Sequence, residues 1–455
     1  MSALAQFLAF RGAKVRGSDR SFDRGAETGK RDYFQRIGVT LFPQDGGGLE
    51  GCSCLVVSTA IESTSPEVRK ALELGIPVLH RSDLLAGLAR EHKTIAVSGT
   101  SGKSTVTGMA YHVLEAGGLE PSLITGANLS SLQKEGLLGN AKAGARAEPG
   151  AVPWLLIEAD ESDGSLIKYS PEIGVILNVE KDHKEIAELI PLFERFRDQT
   201  SRRVILNGAD AHCLALSRPE DVLFDPGSMA DGAARDIRLE AWETRFTLAG
   251  VAFRLHVPGR HNLANAMAAI AIGRELGLSL EVCAQGLENY RGVERRHVRV
   301  GEISGITVVD DFAHNPAKVK ACLETVKAAA THGEPPGRVL AVFHPHGFAP
   351  MKLLGGDLVQ GMAEALDARD RVFMPEIFYA GGTADKSISS ADLVASLNGR
   401  MPIAVFEASK EEVIAAMVRE SRPGDWLVTM GARDPSLGDF AQRLFEALER
   451  RFQSP

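Results

Sequence analysis

Residues 95–108, IAVSGTSGKSTVTG, join an apolar strand, a glycine–lysine turn and a helix start without a spacer. A buried strand that runs straight through a glycine turn into a helix is half of a βα unit, and such units assemble into parallel sheets. The turn gathers backbone N–H groups around one point, where the helix N-terminus adds partial positive charge and Lys103 a full one. Ser104 stands where a P-loop hydroxyl ligates Mg²⁺. The strict P-loop pattern has a glycine five residues before the glycine–lysine pair, and here Val97 holds that place. A glycine-rich βα turn with a surface lysine is therefore the competing reading.

The same rhythm recurs along the 455 residues, which are too many for one ordinary core. Buried strands are expected at 13–19, 54–61 and 76–80, with a helix after Ser65 (N-cap) and Pro66. Residues 88–93, LAREHK, read as a polar hinge, and the Ala/Gly/Pro-rich stretch 139–153 as a surface loop. The segments WLLIEAD (154–160) and IGVILNV (173–179) read as further strands, and 259–277 as a helix. After RGVERRH, the runs GITVVDDF, RVLAVFHP, RVFMPEI, MPIAVFE and DWLVTMGA alternate with helical segments. The fold class expected is α/β in three domains: 1–91, Rossmann-like; 92–292, a central P-loop ATPase domain; and 293–455, again Rossmann-like.

A net charge of −8 argues against a broad nucleic-acid footprint but allows a local basic pocket for an anionic metabolite. No apolar run is long enough to span a bilayer, and the N-terminus lacks the parts of a signal peptide. Five cysteines, at 52, 54, 213, 283 and 322, fit reduced thiols, so a cytoplasmic protein is expected. Neither nucleic acid nor membrane is expected as a partner, and the chain is read as a monomer or homodimer.

Three clusters bear on the turn at 99–105. WLLIEADESDGS delivers Glu158, Asp160, Glu161 and Asp163 to the end of a strand, where open α/β sheets bind ligands. Four carboxylates there need a cation or solvent. ILNVEKDH ends another strand with Asn178, Asp182 and His183, and a carboxylate with an imidazole beside a phosphate loop suits a second Mg²⁺. Taken singly, these are a solvated acidic loop and a surface histidine. In the third cluster, Asn262 and Asn265 lie one turn apart at a helix start, where amides can read an adenine edge. Arg296 and Asp311, from the beginning of the last domain, are placed to close over a nucleotide.

In order and spacing, GTSGKST, EADESD, NVEKDH, GRHNLANAMAA, GVERRH and DDFAHNP resemble the Mur ligases, over almost the whole chain. The likeness is greatest to the alanine-adding and murein-tripeptide-adding branches. The family's loop is typically Gly-Thr-x-Gly-Lys-Ser/Thr, which accommodates Val97. The resemblance implies three domains that hold a UDP-sugar, ATP, and the incoming amino acid or peptide in turn. It further implies that the carboxylate of UDP-N-acetylmuramate attacks the γ-phosphate of MgATP, and that the amine of L-alanine then attacks the acyl phosphate. By motif match, Gly99, Thr100, Ser101, Gly102, Lys103, Ser104 and Thr105 cradle ATP, with Lys103 on the β/γ-phosphates. Ser104 and Glu158 take one Mg²⁺, and Glu158 and His183 the second. Asn262 and Asn265 go to the adenine, Arg296 to the γ-phosphate and Asp311 to the ribose. The stretch IAELIPLFERFRDQ has no lysine where many members carry a carbamylated one, as in the alanine-adding branch.

Two departures set further expectations. These ligases usually open with a strand and a glycine-rich loop before SALAQFL, so the first domain is expected to be truncated. Its UDP-sugar contacts then fall to Ser18, Asp19, Ser58, Thr59 and Arg81. In addition, HPHGFAPMK has Gly347 and Pro350 where alanine-adding enzymes carry arginines that grip the amino acid's carboxylate. His314, His344 and His346 become the candidates for the acceptor side. Addition of the murein tripeptide, or a non-catalytic ATP-binding role, are the alternatives.

Overall fold

The structure is a computed structural model that describes residues 1–145, 152–181, 184–333, 336–379, 386–432, 434 and 436–453. The chain divides into two compact units. The first comprises Met1–Asp236, Phe246–Arg254 and Leu263–Val293, and the second Ile237–Arg245, Leu255–Asn262 and Glu294–Pro455.

The first unit is built on a seven-stranded sheet in the order Val222–Phe224, Arg203–Asn207, Ile173–Ile176, Lys93–Ser98, Trp154–Glu158, Ser122–Ile124 and Ala141–Lys142. All pairings are parallel except that of the last strand, which runs antiparallel at the edge. Lys93–Ser98 is central, and Ile95, Ala96 and Val97 are wholly buried, which is why that stretch reads as an unbroken apolar run. Val97 is in register with Glu158 on one side and Val175 on the other. Three successive strand ends therefore converge beside the glycine turn.

Two stretches read from the sequence as irregular are partly ordered here. Helix Arg81–Arg90 occupies the first part of 88–93, Glu91 and His92 form a tight turn, and the central strand begins at Lys93. Leu85, Ala86 and Ala89 bury one helix face in the core that also holds Leu4, Phe7, Ala96 and Ile157, and this apolar spacing outweighs the polar letters. Within 139–153, Ala141–Lys142 forms the edge strand, while 146–151 fall outside the described residues.

The strands of the first ninety residues are short and form two parallel pairs. Arg16–Gly17 pairs with Thr40–Leu41, and Leu55–Val57 with Val78–His80. Between the latter two, helix Pro66–Glu73 is capped as expected by Ser65, whose Oγ accepts the Val68 N–H at 3.4 Å.

The second unit carries a six-stranded sheet in the order Val298–Ile303, Ile306–Asp311, Trp426–Gly431, Val339–His344, Arg371–Met374 and Ala404–Phe406. Only the first strand is antiparallel. Alternation along the strands makes two cores. Val309, Ala341, Phe343 and Met430 pack toward helices Pro316–Thr331 and Phe348–Ala365. Val308, Leu340, Val342 and Leu427 pack toward Lys410–Glu420 and Leu437–Gln453. Among the described residues no helix is long and apolar enough to cross a membrane, and none of the five cysteines is in a disulfide.

Candidate active site

The turn after the central strand is shaped by two glycines. Gly99 has φ +133°, and a Cβ there would lie 3.0 Å from Leu177 Cβ. Gly102, the N-cap of helix Lys103–Ala116, has φ +87°, and a Cβ there would lie 2.8 Å from Asn265 Oδ1. Both positions need backbone that L side chains rarely adopt, in a space they do not have. Between them, Asn178 holds the loop from the neighbouring strand end. Its Oδ1 accepts from Thr100 Oγ1 at 2.8 Å and from Ser101 N at 2.8 Å, and its Nδ2 donates to Ser101 O at 3.1 Å. Ser104 and Thr105 occupy the first turn of the helix.

Lys103 lies back over its own loop. Its Nζ donates to Gly99 O at 2.7 Å and to Glu161 Oε2 at 2.7 Å, with Asp160 Oδ1 at 3.8 Å. Burial pulls the ammonium's pKa down, but Glu161, Asp160 and Glu158 together outweigh it and hold the value above that of an ordinary lysine. The cation is thus fixed and charged. Glu158 ends its strand with Oε1 accepting from Gly126 N at 2.8 Å and from the Thr125 hydroxyl. Asp163 pairs with Arg81 at 2.8 Å. His183 and Asp182 lie outside the described residues, and on either side of them Lys181 pairs with Glu185 while Lys184 donates to Glu161 O.

In the second unit, Arg295 and His297 both have positive φ, 56° and 53°, so the loop bearing Arg296 is held in a conformation non-glycine residues seldom take. The guanidinium of Arg296 lies 5.2 Å from the centroid of the Phe312 ring. Asp311 is buried, accepting from His297 N at 2.8 Å and Ala313 N at 2.7 Å. Burial pushes its pKa up despite Arg296 nearby. Asn262 is also buried and donates to Pro258 O at 2.7 Å.

At the ends of strands Val339–His344 and Trp426–Gly431, His344 Nδ1 lies 3.3 Å from Asp434 Oδ2, and Lys410 Nζ lies 2.8 Å from that same oxygen. Burial lowers the His344 pKa. His346 is buried with its ring 5.6 Å from that of His314.

The first-domain candidates are spread more widely. Ser18 and Asp19 follow strand Arg16–Gly17, and Ser58 and Thr59 follow Leu55–Val57. Ser18 Oγ donates to Glu67 at 2.9 Å, and Asp19 caps a short helix through Ser21 N.

The structure thus brings Lys103 and Arg81 together through Asp160, and sets Asn265 close against the turn at Gly102, all in the first unit. Asn178 and Glu161 stood in the clusters read from the sequence but were given no role there, and Thr125, Lys410 and Asp434 were not singled out at all. The strand-end position of the first two was a signal; nothing local marks the others.

Three family models match the chain: "Mur ligase family, catalytic domain" over residues 1–93, "Mur ligase middle domain" over 97–273, and "Mur ligase, glutamate ligase domain" over 295–433. A UDP-N-acetylmuramate–L-alanine ligase of Pelotomaculum thermopropionicum is 36% identical, with 95% of this chain and 92% of that protein covered. One from Thermosynechococcus vestitus is 33% identical over 95% of this chain and 90% of its own length. Among solved structures, a UDP-N-acetylmuramate–alanine ligase from Thermotoga maritima matches with TM-score 0.78 at 24% identity, covering 99% and 97% of the two chains. A murein peptide ligase from Psychrobacter arcticus matches with TM-score 0.68 at 20% identity, covering 98% and 96%.

Proposed function

This chain belongs to the Mur ligase family, and from that premise we propose that it is an ATP-dependent ligase joining the carboxylate of UDP-N-acetylmuramate to the amine of L-alanine. The curated relatives carry that activity in their names. The observation that best supports a working ATP half is the arrangement of Lys103. It is a buried, charged lysine fixed to Gly99 O and Glu161 at the first turn of a helix. A phosphate loop needs such a cation and helix end.

Attack of the sugar's carboxylate on the γ-phosphorus breaks the bond to ADP and leaves an acyl phosphate. The amine then attacks the acyl carbon and expels phosphate. Phosphoryl transfer of this kind depends on alignment and charge neutralisation more than on covalent help. Lys103 is assigned to the β/γ-phosphates, the backbone N–H groups of 100–104 to their oxygens, Arg296 to the γ-phosphate and Asp311 to the ribose. Ser104 and Glu158 offer the hard oxygen donors that Mg²⁺ prefers, so they fit a metal there, with His183 assigned to a second by its motif. When bound, Mg²⁺ neutralises charge on the β- and γ-oxygens. Asp434, fixed by Lys410, sets a carboxylate 3.3 Å from His344 Nδ1, and we assign this pair to the acceptor side.

The test is direct. Protein with MgATP and UDP-N-acetylmuramate is offered L-alanine, other single amino acids, or the murein tripeptide, and phosphate release and product mass are followed. Alanine-dependent phosphate release with a product heavier by one alanyl residue is expected. Product formed with tripeptide alone would replace this reading with the peptide-adding one, and absence of amine-dependent phosphate would leave only an ATP-binding relative.

A further inference from the structure

At the N-terminal ends of the parallel strands of the second unit, opposite the ends bearing Asp311 and His344, five arginines line a cavity of about 270 Å³. They are Arg338, Arg371, Arg419, Arg422 and Arg451. Three are held rigidly by groups that use only part of their donor sets. Arg338 pairs with the buried Asp425 at 3.2 Å and donates to Glu420 O. Arg371 Nη1 donates to Asp370 O at 2.7 Å. Arg451 Nη1 donates to Ser421 O and Oγ, each at 3.2 Å. Arg419 and Arg422 are exposed, and their side chains have no partner among the described residues.

The charge does not balance. Among the described residues, the carboxylates that stand against the five guanidinium groups are Asp425 and Glu420, the latter 3.8 Å from Arg371 Nε. This positive hollow belongs to a chain whose net charge is −8. Helix Lys410–Glu420 also ends here, and bare terminal carbonyls would repel an anion. Those of Val418 and Glu420 are instead covered by Arg451 and Arg338. These terminal carbonyls are therefore already satisfied, and the guanidinium-bearing side chains that line the cavity outnumber its carboxylates. Guanidinium forks match phosphate oxygens bidentately. The hollow is too small for a macromolecule, and the surplus of positive charge exceeds what one phosphate neutralises.

We propose that this cavity is a second anion site, distinct from the loop at 99–105, which takes a small ligand bearing two adjacent phosphates: inorganic pyrophosphate or the diphosphate of a nucleotide. The full chain is titrated calorimetrically with sodium pyrophosphate and, separately, with ADP, at low salt. Each titration is run on wild type, on Lys103→Ala, and on both backgrounds carrying Arg419→Ser with Arg422→Ser. Both exposed arginines should be replaceable without loss of fold, which circular dichroism and the thermal midpoint verify. Pyrophosphate binding that survives Lys103→Ala and weakens at least tenfold with the arginine pair replaced is the expected result. Binding of ADP with the same sensitivity, where pyrophosphate binds weakly, would assign the ligand to the nucleotides. Pyrophosphate and ADP affinities that ignore the arginine pair, or that vanish with Lys103→Ala alone, would overturn the proposal.

Discussion

Lys103 Nζ lies 2.7 Å from Glu161 Oε2, and the two side chains are only 16% and 4% exposed. The cation of the phosphate loop is thus held by a carboxylate three residues beyond Glu158, at the end of the neighbouring strand.

Replacing Glu161 by Gln leaves the buried ammonium with weaker compensation from Asp160 and Glu158. Breaking one side of such a pair costs about 3–5 kcal/mol, to be read as a lowered urea midpoint. The Lys103 pKa, held above its ordinary 10.5, should fall. Its contribution to stability is whole below the unfolded value and fades as pH rises through the folded one, so the alkaline limbs of stability and turnover should both move to lower pH. An alkaline limb that stays in place would remove Glu161 from this role.

Asn178→Ala strips the loop of its side-chain anchor at Thr100 and Ser101. Unmade bonds of this kind cost about 1–3 kcal/mol, or roughly 5- to 150-fold in the KM for ATP. Binding of the acceptor amine should be untouched. Initial rates at varied ATP decide it, and an unchanged KM would mean that the loop keeps its shape unaided.

Gly102→Ala meets two penalties: φ of +87°, worth about 1–2 kcal/mol, and the amide oxygen of Asn265 2.8 Å from the new methyl. Activity should fall at least tenfold. Adding Asn265→Ala removes the clash but not the strain, so stability should recover in part. Full recovery would show that the backbone angle is immaterial.

His112, on the loop helix, lies 2.8 Å from Ser131 Oγ, with its ring 6.0 Å from that of Tyr290. Burial, with help from Lys142 and Arg291, lowers its pKa to about 4. The unfolded chain takes up a proton near 6.5 that the native state refuses. Stability is therefore whole above that pH and declines as pH falls toward 4, by about 3 kcal/mol at most. Urea midpoints at pH 7.5 and pH 5 should separate more for wild type than for His112→Gln. Equal losses would place the acid sensitivity elsewhere.

The turn to which ATP is assigned was legible in the sequence because its parts are local. A glycine turn, a lysine and a hydroxyl lie within a few residues, and Glu158 ends an apolar run. Strand periodicity likewise located the five parallel strands of the second sheet and Lys93–Ser98, Trp154–Glu158 and Ile173–Ile176 of the first, but not Ser122–Ile124, Arg203–Asn207 or Val222–Phe224. What escaped were partners assembled from afar. Thr125 meets Glu158 only because two strands lie side by side, and Lys410 meets Asp434 only at the end of a folded sheet. Neither residue stands in a motif of its own. The helix that enters 88–93 was missed because its polar letters were read without the buried face that Leu85 and Ala89 supply.

The register of the central strand has a consequence for synthesis. Val97 emerges from the ribosome before both of the residues it lies beside, Glu158 and Val175, and Asn178 follows later still. At about 5–20 residues per second, the nascent strand waits several seconds for its neighbours. Until then its buried face is open to chaperones and to other nascent chains. Competence to hold a nucleotide is thus acquired late in the making of the first unit, although the loop that gives it is translated early.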